Sequence, residues 1–334
     1  MTVTEAPPAR ADPGLEHSLT SPPVEARPDE PPSPPGDGLD DAAFESGSPR
    51  VSPNAVRHVG ATAMIVLTAL AAGLVVHLVL LSRLEHRSAQ QRAYDRFRYE
   101  LAQGTAPVAQ TERSGQLVEL GAPVALIEIP SLHVREVVGE GTTGSVLMDG
   151  PGHRRDTPLP GQAGSSVILG RAAAYGGPFK HLHELRPGAT ITVTTGQGVS
   201  KFRVIGKRGA GDPAPPPVAQ GKGRLVLVTA TGLPYIPGGV LRVDADLDTQ
   251  TFPTPASVIP SGSLPNSEQP LGTDTSTLWA LVLWLEALVL VAVGIVWAWH
   301  RWGRHQTWIV LAPLAVLISL YVVNEFMRLL PNLL

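Results

Sequence analysis

Cysteine is absent from the 334-residue sequence, which excludes a disulfide framework, a thiolate metal site and a cysteine nucleophile. Aromatic residues are scarce at 5%, and charged residues make up only 16%. The net charge of −3 gives no basis for nucleic-acid binding. Hydrophobic residues nevertheless reach 43%, so they must be concentrated in a few segments. The 34 glycines and 33 prolines together predict many turns and loops.

The first 56 residues lack the apolar content of a folded core. Residues 1–53 contain twelve prolines, ten acidic residues and three basic ones. A segment of this composition cannot bury enough apolar surface to offset the entropy of ordering it, so we interpret residues 1–56 as a disordered, acidic, proline-rich tail. Proline doublets such as Pro31-Pro32 leave a second possibility open, a ligand for a polyproline-binding partner.

Three long apolar runs predict helices that cross a membrane. Residues 61–81 carry no formal charge, and at about 1.5 Å per residue they span about 31 Å, enough for the hydrocarbon core. This run is too long and lies too far along the chain for a cleaved signal peptide, so residues 57–82 are predicted to be a signal anchor. The other two runs lie in residues 277–300 and 308–330, and the basic turn 301–307 joins them into a hairpin.

One globular segment lies between the first run and the hairpin. Residues 83–116 are predicted to form a helical stalk and linker, residues 117–247 a β domain, and residues 248–276 a second linker. Short β-type runs separated by Gly and Pro, without βαβ alternation, indicate an all-β barrel or sandwich. The runs are Val124–Ile129, Ser166–Leu169, Thr190–Thr195, Lys201–Lys207, Leu225–Thr229 and Val240–Ala245. One helix is expected near Phe179–Leu185.

Charges next to the apolar runs predict which side of the membrane the β domain occupies. Arg301 and Arg304 lie in the hairpin turn, whereas the linker before the hairpin has no Lys or Arg. The positive-inside rule then places the turn in the cytoplasm and the β domain outside. Five arginines after the first run favour the opposite orientation, but they can lie in the membrane interface. We expect a multi-pass protein of the cell membrane with an extracytoplasmic β domain and a cytoplasmic N-terminal tail.

Several ordered segments of the β domain resemble the sortases, bacterial cysteine transpeptidases that join surface proteins to the cell wall or to pili. The segments are LIEIP at 126–130, GPGH at 150–153, TPLPG at 157–161, GPF at 177–179, LHEL at 182–185 and LVLVT at 225–229. The resemblance spans residues 124–245 and is nearest to class E, the actinobacterial housekeeping type. An excess of arginine over lysine, 22 to 4, is typical of G+C-rich bacterial genomes. The resemblance implies an all-β, eight-stranded sortase-like barrel, here combined with three transmembrane helices.

The resemblance also implies where a catalytic cysteine, histidine and arginine would lie, and this chain has replaced all three. The cysteine position of the family motif Thr-Leu-x-Thr-Cys is Ala230, and the histidine that follows a glycine corresponds to Arg171. The family arginine falls at Gly239 or Val240. Sortase chemistry needs a thiolate nucleophile, a histidine to protonate the leaving amine and an arginine to stabilise the oxyanion. We therefore expect no catalytic residues and interpret the domain as a pseudosortase.

A replacement nucleophile is the main alternative. Thr229 and Thr231 flank the lost cysteine position, but strand alternation turns both to the opposite face. Ser165 and Ser166 lie one strand earlier and have no identifiable base. His153 is the best substitute base, so a serine or threonine enzyme stays an alternative.

Loss of the catalytic groups leaves a groove that a ligand can occupy. Arg171 places a permanent cation where the imidazole would stand, and Arg242, two residues past Val240, lies on the same strand face. Together with His153 and Tyr175 they are the candidate groove-binding residues. Two inward guanidinium groups would suit a carboxylate or an acidic peptide. Alternatively, the Arg171 side chain extends into solvent.

Polar residues inside the predicted spans form a second candidate site. Glu286 lies eight residues into its span, where a charge costs about 2.5–3.5 kcal/mol on insertion scales. Counting residues outward from the hairpin turn places Tyr321 at the same depth, with Asn324 one turn on, and His77 lies near the same end of the first span. We expect these four residues to form an intramembrane polar cluster that clamps the three helices. Docking of another protein's transmembrane helix is the alternative.

The leading hypothesis is a membrane-anchored, non-catalytic binding or scaffold module of the cell envelope. Its partner would be an envelope or membrane protein or a peptide segment, and no nucleic acid. His181 and His183 have no third ligand in the sequence pattern, so neither metal nor cofactor is expected. The first alternative is an active class E-like transpeptidase that anchors surface proteins with a non-cysteine nucleophile. The second treats the barrel as a spacer and the membrane hairpin as the functional part.

Overall fold

Alternating apolar and polar residues of the β domain form eight strands that close into a barrel. The computed structural model describes Gly73 and residues 81–233, 236–301 and 303–334. In chain order the strands are β1 (Pro123–Ile129), β2 (Val134–Glu140), β3 (Gly152–His153), β4 (Gly164–Leu169), β5 (Thr190–Thr195), β6 (Gly198–Arg208), β7 (Gly223–Leu233) and β8 (Ile236–Leu247). Around the barrel they follow the order β1-β2-β3-β4-β7-β8-β6-β5, and β5 pairs with β1 to close it. The predicted barrel is therefore confirmed.

Inward-facing side chains from all the longer strands fill the barrel with one apolar core. The fully buried members include Ile127, Ile168, Ile191, Phe202, Leu225, Leu227 and Val243. Fully burying one such side chain contributes about 1.5–3 kcal/mol relative to leaving it exposed. Because successive strand residues point to opposite faces, the residues that alternate with these core side chains along each strand face the outside of the barrel.

Two of the strand pairs are parallel, and one of them positions the candidate site. β4 runs parallel to β7 with Val167 opposite Val226 and Leu169 opposite Val228. The chain that leaves β4 at Gly170 therefore emerges beside Thr229 and the end of β7. The other parallel pair is β2 with the two-residue β3; neither of these strands was among the six runs predicted from alternation.

The prediction of a helix near Phe179–Leu185 is wrong. That stretch contains only a 3₁₀ turn at Leu182–Glu184. Phe179, Leu182 and Leu185 are all buried in the barrel core, so their apolar spacing reflects turns that plug the end of the barrel rather than an amphipathic helix. Pro187, two residues later, prevents the turn from extending into an α-helix.

Two helices pack on the outside of the barrel. α1 (Ser82–Gln103) lies on β2, where Gln90 accepts from the Val137 N–H at 2.7 Å and donates to the Val137 carbonyl at 3.1 Å. Phe97 of α1 is 1% exposed. The short α2 (Gly144–Asp149) begins at Thr143, whose hydroxyl accepts from the Val146 N–H. The stalk helix therefore packs on the barrel.

Two apolar helices follow the barrel and form a hairpin. α3 (Leu278–Arg301) and α4 (Arg304–Leu329) are each long and apolar enough to cross a membrane, as predicted, judged by length and composition. The hairpin returns the chain to the barrel, because Val323 and Met327 of α4 are buried against Met148 and Tyr175. The predicted first span, apart from Gly73 and the junction at residues 81–82, and the predicted tail lie outside the described residues.

Candidate peptide-binding groove

The outer faces of β4, β7 and α2 form an apolar groove. Along β7, Leu225 and Leu227 point into the barrel core, whereas Val226, Val228 and Ala230 point outward. Leu147 of α2 and Leu169 of β4 complete the set, and the groove is defined by these residues: Leu147, Leu169, Val226, Val228 and Ala230. The position that the sequence singled out, Ala230, thus lines the groove floor opposite Val240 of β8.

Arg171 closes one end of the groove and is 0% exposed. Its guanidinium donates to three main-chain oxygens: Nε to Leu147 at 3.1 Å, Nη2 to Gly144 at 3.1 Å and Nη1 to Leu334 at 2.8 Å. Its Cζ also lies 5.2 Å from the centre of the Tyr175 ring. The alternative that Arg171 extends into solvent does not fit this geometry.

No acidic side chain among the described residues pairs with Arg171. Burial lowers the pKa of Arg171 to about 10, so the side chain still carries its charge at neutral pH. Burial also raises the pKa of Tyr175 to about 12, and the Tyr175 hydroxyl has no hydrogen-bond partner among the described residues. A buried guanidinium that no acidic side chain among the described residues neutralises is a place where an anionic ligand gains stabilisation.

A segment of the same chain fills the groove. This return segment (Pro331–Leu334) follows α4, and the side chains of Leu333 and Leu334 pack on the groove residues. The Ala172 N–H donates to the Leu333 carbonyl at 3.0 Å, and Arg171 holds the Leu334 oxygen. Leu333 is 0% exposed and Leu334 3% exposed, and the Leu334 N–H donates to the Pro331 carbonyl at 3.1 Å, so the groove holds a short peptide turn with both leucines buried in it.

Asn332 brackets the return segment from its other side. Its N–H donates to the Gly272 carbonyl at 2.9 Å. Its side-chain Nδ2 donates to Thr142 and Gln269 carbonyls, both at 2.9 Å. The Asn332 Oδ1, although buried, has no partner among the described residues. The segment is thus fixed by main-chain contacts to the linker as well as by its leucines.

Arg242 lies on the outer face of β8, beside Arg208 and Asp244. Asp244 pairs with Arg208, at 2.8 Å from Nε, and the guanidinium of Arg242 makes no hydrogen bond or ion pair with the described residues. Burial, with Arg208 as the next cause, lowers the pKa of Arg242. Its position leaves a cation on the rim of the groove.

His153 belongs to a different, buried site. Its Nδ1 lies 2.8 Å from Glu140 Oε2, and its Nε2 lies 3.1 Å from the Pro158 carbonyl and 3.3 Å from Thr157 Oγ1. These partners border a cavity of about 190 Å³ that also touches linker residues 254–257. None of the three partners is a groove residue, so the structure does not bring His153 together with Arg171.

The stability of this buried pair should depend on pH. Burial by itself lowers the pKa of His153, but the charge and hydrogen bond of Glu140 outweigh it and raise the pKa above its usual value. The folded state therefore holds the proton more tightly than the unfolded chain. The pair stabilises the fold fully below about pH 6.5, the pKa of a histidine in the unfolded chain. This stabilisation is lost as the pH rises through the higher pKa that His153 has in the folded protein.

We expect His153→Gln to flatten this dependence. Thermal unfolding of the full chain in detergent, measured between pH 6 and 9, should show the unaltered protein losing stability with rising pH more steeply than the variant. His183→Gln, at an exposed histidine, serves as the control and should leave the slope unchanged. Identical slopes for His153→Gln and the unaltered chain would mean that the pair holds no extra proton.

Three of the four residues predicted to form an intramembrane cluster lie in the described part of the chain. Tyr321 stacks on Trp284, with ring centres 4.6 Å apart and planes 8° from parallel. Glu286 is exposed on α3, and neither Glu286 nor Asn324 makes a hydrogen bond with the described residues. His77 lies outside the described residues, so a cluster that includes it stays a prediction.

Thr229 faces away from the groove, and its hydroxyl donates to the Gly170 carbonyl at 2.9 Å. His181 and His183 are exposed beside Glu184, and no group of three His, Cys, Asp or Glu residues in the described part of the chain is placed to hold a metal ion.

Sequence reasoning missed the return segment. Arg171 and Ala230 were found because the motifs around them are local, but Leu334 lies 163 positions from Arg171. One signal was available: Pro331 ends α4, and a buriable Asn-Leu-Leu sequence follows it on the same side of the hairpin as the barrel.

The β domain is similar in sequence and in structure to known proteins. Residues 127–237 match the family model of the sortase domain. Among solved structures, the Clostridium perfringens sortase D5 transpeptidase is 20% identical, with 48% of this chain and 99% of that chain covered and a TM-score of 0.40. Clostridium perfringens sortase C with the C-terminal cell wall sorting motif is 18% identical, with 48% and 89% covered and a TM-score of 0.37. Sortase E from Streptomyces avermitilis is 27% identical, with 46% and 100% covered and a TM-score of 0.35. No curated protein matches the chain.

Proposed function

Because residues 127–237 form a sortase-family domain, we propose that this chain is a membrane-anchored pseudosortase that binds peptides of the cell envelope without cleaving them. One observation carries the proposal: the groove that contains Ala230 holds a peptide turn, the return segment, in contact with no nucleophile. An envelope protein or peptide segment is the partner class that this geometry supports.

The chemistry of the groove supports binding over catalysis. Covalent acyl transfer needs a nucleophile and a base within hydrogen-bond reach of it. Ala230 supplies no nucleophile, and the chain has no cysteine elsewhere. Arg171 is protonated at neutral pH and cannot accept a proton from an attacking group. One of its donors is directed at the Leu334 oxygen of the return segment, which is how a binding site contacts a peptide backbone, and the other two bind the Leu147 and Gly144 carbonyls of the barrel domain.

Membrane anchoring in this proposal rests on α3 and α4. Many of their large apolar side chains are exposed, including Trp279 at 78% and Leu290 at 71%, which suits contact with lipid. The positive-inside rule supports an extracytoplasmic barrel. Since α4 leads directly into the return segment, the membrane hairpin and the groove are joined by a short connection.

Labelling of single cysteines tests this orientation, because the chain offers a cysteine-free background. Val258 lies in the linker before the hairpin and is 58% exposed, whereas Gln306 lies near the hairpin turn and is also exposed. We expect a membrane-impermeant maleimide to label Val258→Cys on intact cells and Gln306→Cys only after permeabilisation. The reverse pattern would show that the barrel is cytoplasmic.

Peptide binding itself is tested with the full chain in detergent micelles. Fluorescein-labelled peptides of five to eight residues, varied in aliphatic content and charge, are titrated with the protein and followed by fluorescence anisotropy. We expect saturable binding of aliphatic peptides that carry an acidic group, reduced by Arg242→Gln at the groove rim. Absence of saturable binding for every peptide would overturn the proposal.

A second candidate function has one observation in its favour. Thr157, His153 and Glu140 are arranged in the order hydroxyl, imidazole, carboxylate, with contacts of 3.3 and 2.8 Å, which is the arrangement of a nucleophile, its base and an orienting group. Two hydrogen bonds oppose this function. The Thr157 hydroxyl donates to the Arg154 carbonyl at 2.7 Å, and His153 Nε2 lies 3.1 Å from the Pro158 carbonyl.

Thr157→Val separates the two functions. Any peptide exchange or hydrolysis by the full chain that this substitution abolishes would favour a threonine enzyme. We expect the unaltered chain and Thr157→Val to leave the same peptides intact, while His153→Gln changes stability and not turnover.

A further inference from the structure

The groove is occupied by the chain's own return segment, and its contacts describe the ligand it accepts. On the basis of the proposed function, we propose that the groove selects a peptide that turns as the return segment does, with two adjacent aliphatic side chains and a carboxylate at the second of them. The return segment is a resident competitor that such a peptide must displace.

The two aliphatic positions follow from the packing of Leu333 and Leu334. Both side chains lie in a buried apolar cluster with Leu147, Val228 and Ala230. Ala230 is a small residue on the groove floor, which leaves room for a branched side chain above it. Polar or charged side chains at these two positions would be buried without partners, so the groove discriminates against them.

The carboxylate follows from the hydrogen bonds of Arg171. Its guanidinium carries five N–H donors, and the structure shows three of them directed at main-chain oxygens. Only the Leu334 oxygen among these acceptors belongs to the occupant. A carboxylate at that place would accept from Nη1 and compensate a buried charge that no acidic side chain in the described part of the chain meets. The chemistry of the site therefore favours an anion at the second aliphatic residue.

Competition follows from the burial of the groove. With the return segment in place Leu333 is 0% exposed and Ala230 8% exposed, so an outside peptide has no access to the same contacts. Apart from its covalent link to α4, the segment is held by non-covalent contacts, which include hydrogen bonds with Gly272, Ala172, Arg171, Thr142 and Gln269. Displacement would also release the end of α4, because the segment follows that helix directly.

The test uses the full chain in detergent and one defined probe. The probe is a fluorescein-labelled hexapeptide with the sequence of residues 329–334, Leu-Leu-Pro-Asn-Leu-Leu, prepared with a free carboxylate and as the carboxamide. The opened protein is the double variant Leu333→Asp with Leu334→Asp, which places two charges in the apolar cluster and expels the segment. Val199→Asp, at a 54% exposed strand position, is the matched control for an added charge.

We expect the double variant to bind the free-acid probe at least tenfold more tightly than the unaltered chain and Val199→Asp do. The carboxamide should bind at least tenfold more weakly than the free acid, and a probe with both final leucines replaced by aspartate should not bind. Equal affinity of the opened and unaltered proteins would overturn the resident-competitor role. Equal affinity of acid and carboxamide would overturn the role of the carboxylate.

A second measurement does not depend on folding of the double variant. Hydrogen exchange of the unaltered chain is followed with and without excess unlabelled free-acid probe, and we expect faster exchange of the amides of residues 332–334 when the probe is present. Unchanged exchange at a saturating probe concentration would overturn displacement. If this probe fails while other peptides bind saturably, the ligand chemistry proposed here is wrong and the proposed function stands; if no peptide binds any form, the proposed function fails as well.

Discussion

Replacing Arg171 with methionine is expected to lower the free energy of unfolding by about 3 kcal/mol and to release the return segment. Three hydrogen bonds from a charged donor are lost, each worth about 1.5–3 kcal/mol. Removal of the buried charge offsets part of this loss, because the cation no longer has to be kept out of water. Methionine fills a similar volume, so the change reports on the donors rather than on a large cavity.

Thermal unfolding of the full chain in detergent, followed by circular dichroism, measures the effect of Arg171→Met. Hydrogen exchange of the amides of residues 332–334 should accelerate at the same time, because release of the segment breaks the hydrogen bonds of the Asn332 and Leu334 N–H groups. Arg203→Met is the matched control: Arg203 pairs with Asp248 on the surface, with a side chain 61% exposed, and its loss should leave both measurements unchanged. If Arg171→Met matched the control, the three hydrogen bonds would not hold the groove together.

A cysteine introduced at position 230 is expected to be protected and catalytically silent. Ala230 is 8% exposed and lies under Leu333 and Leu334, so a maleimide should reach Ala230→Cys about 100-fold more slowly than an exposed thiol. Such protection corresponds to a local opening free energy of about 2.7 kcal/mol. The thiol would also lack a base, since Arg171 occupies the position that the family resemblance gives to histidine, and burial keeps a thiol protonated.

Leu233→Cys supplies the exposed thiol for comparison, since Leu233 is 70% exposed near the end of β7. Adding Leu333→Asp and Leu334→Asp to Ala230→Cys should restore fast labelling. Removal of a nucleophile from a covalent enzyme costs on the order of 10⁶ in rate, so a reinstated nucleophile in an otherwise intact site would produce a large gain. We expect no gain in peptide exchange, and an acyl-enzyme detected by intact mass spectrometry would show that only the sulfur was missing.

The parts of this molecule that the sequence predicts are those with local signals. Alternation along β5 identifies Thr190–Thr195 with the bounds that the structure has, because a strand with one buried face repeats every two residues. Arg171 and Ala230 were identified through motifs that surround them, and the structure places both beside the groove. α3 and α4 follow from long apolar runs, the strongest signal in any sequence.

What the sequence does not predict depends on contacts between distant residues. The apolar spacing from Phe179 to Leu185 is compatible with a helix until the barrel end that buries these side chains is known. The two-residue β3 is too short for any periodicity. The return segment is recognised only when Arg171 and Leu334 are seen together, since neither residue by itself indicates that a peptide lies in the groove.

The decisive measurement is a peptide-exchange assay with the full chain in detergent. Sorting-signal peptides and an amine acceptor are incubated with the protein, and the products are identified by mass spectrometry while binding is followed by anisotropy. A non-catalytic binding groove predicts that peptides bind and are recovered intact, with no new amide bond. Formation of an exchanged product, abolished by a single substitution such as Thr157→Val, would contradict it.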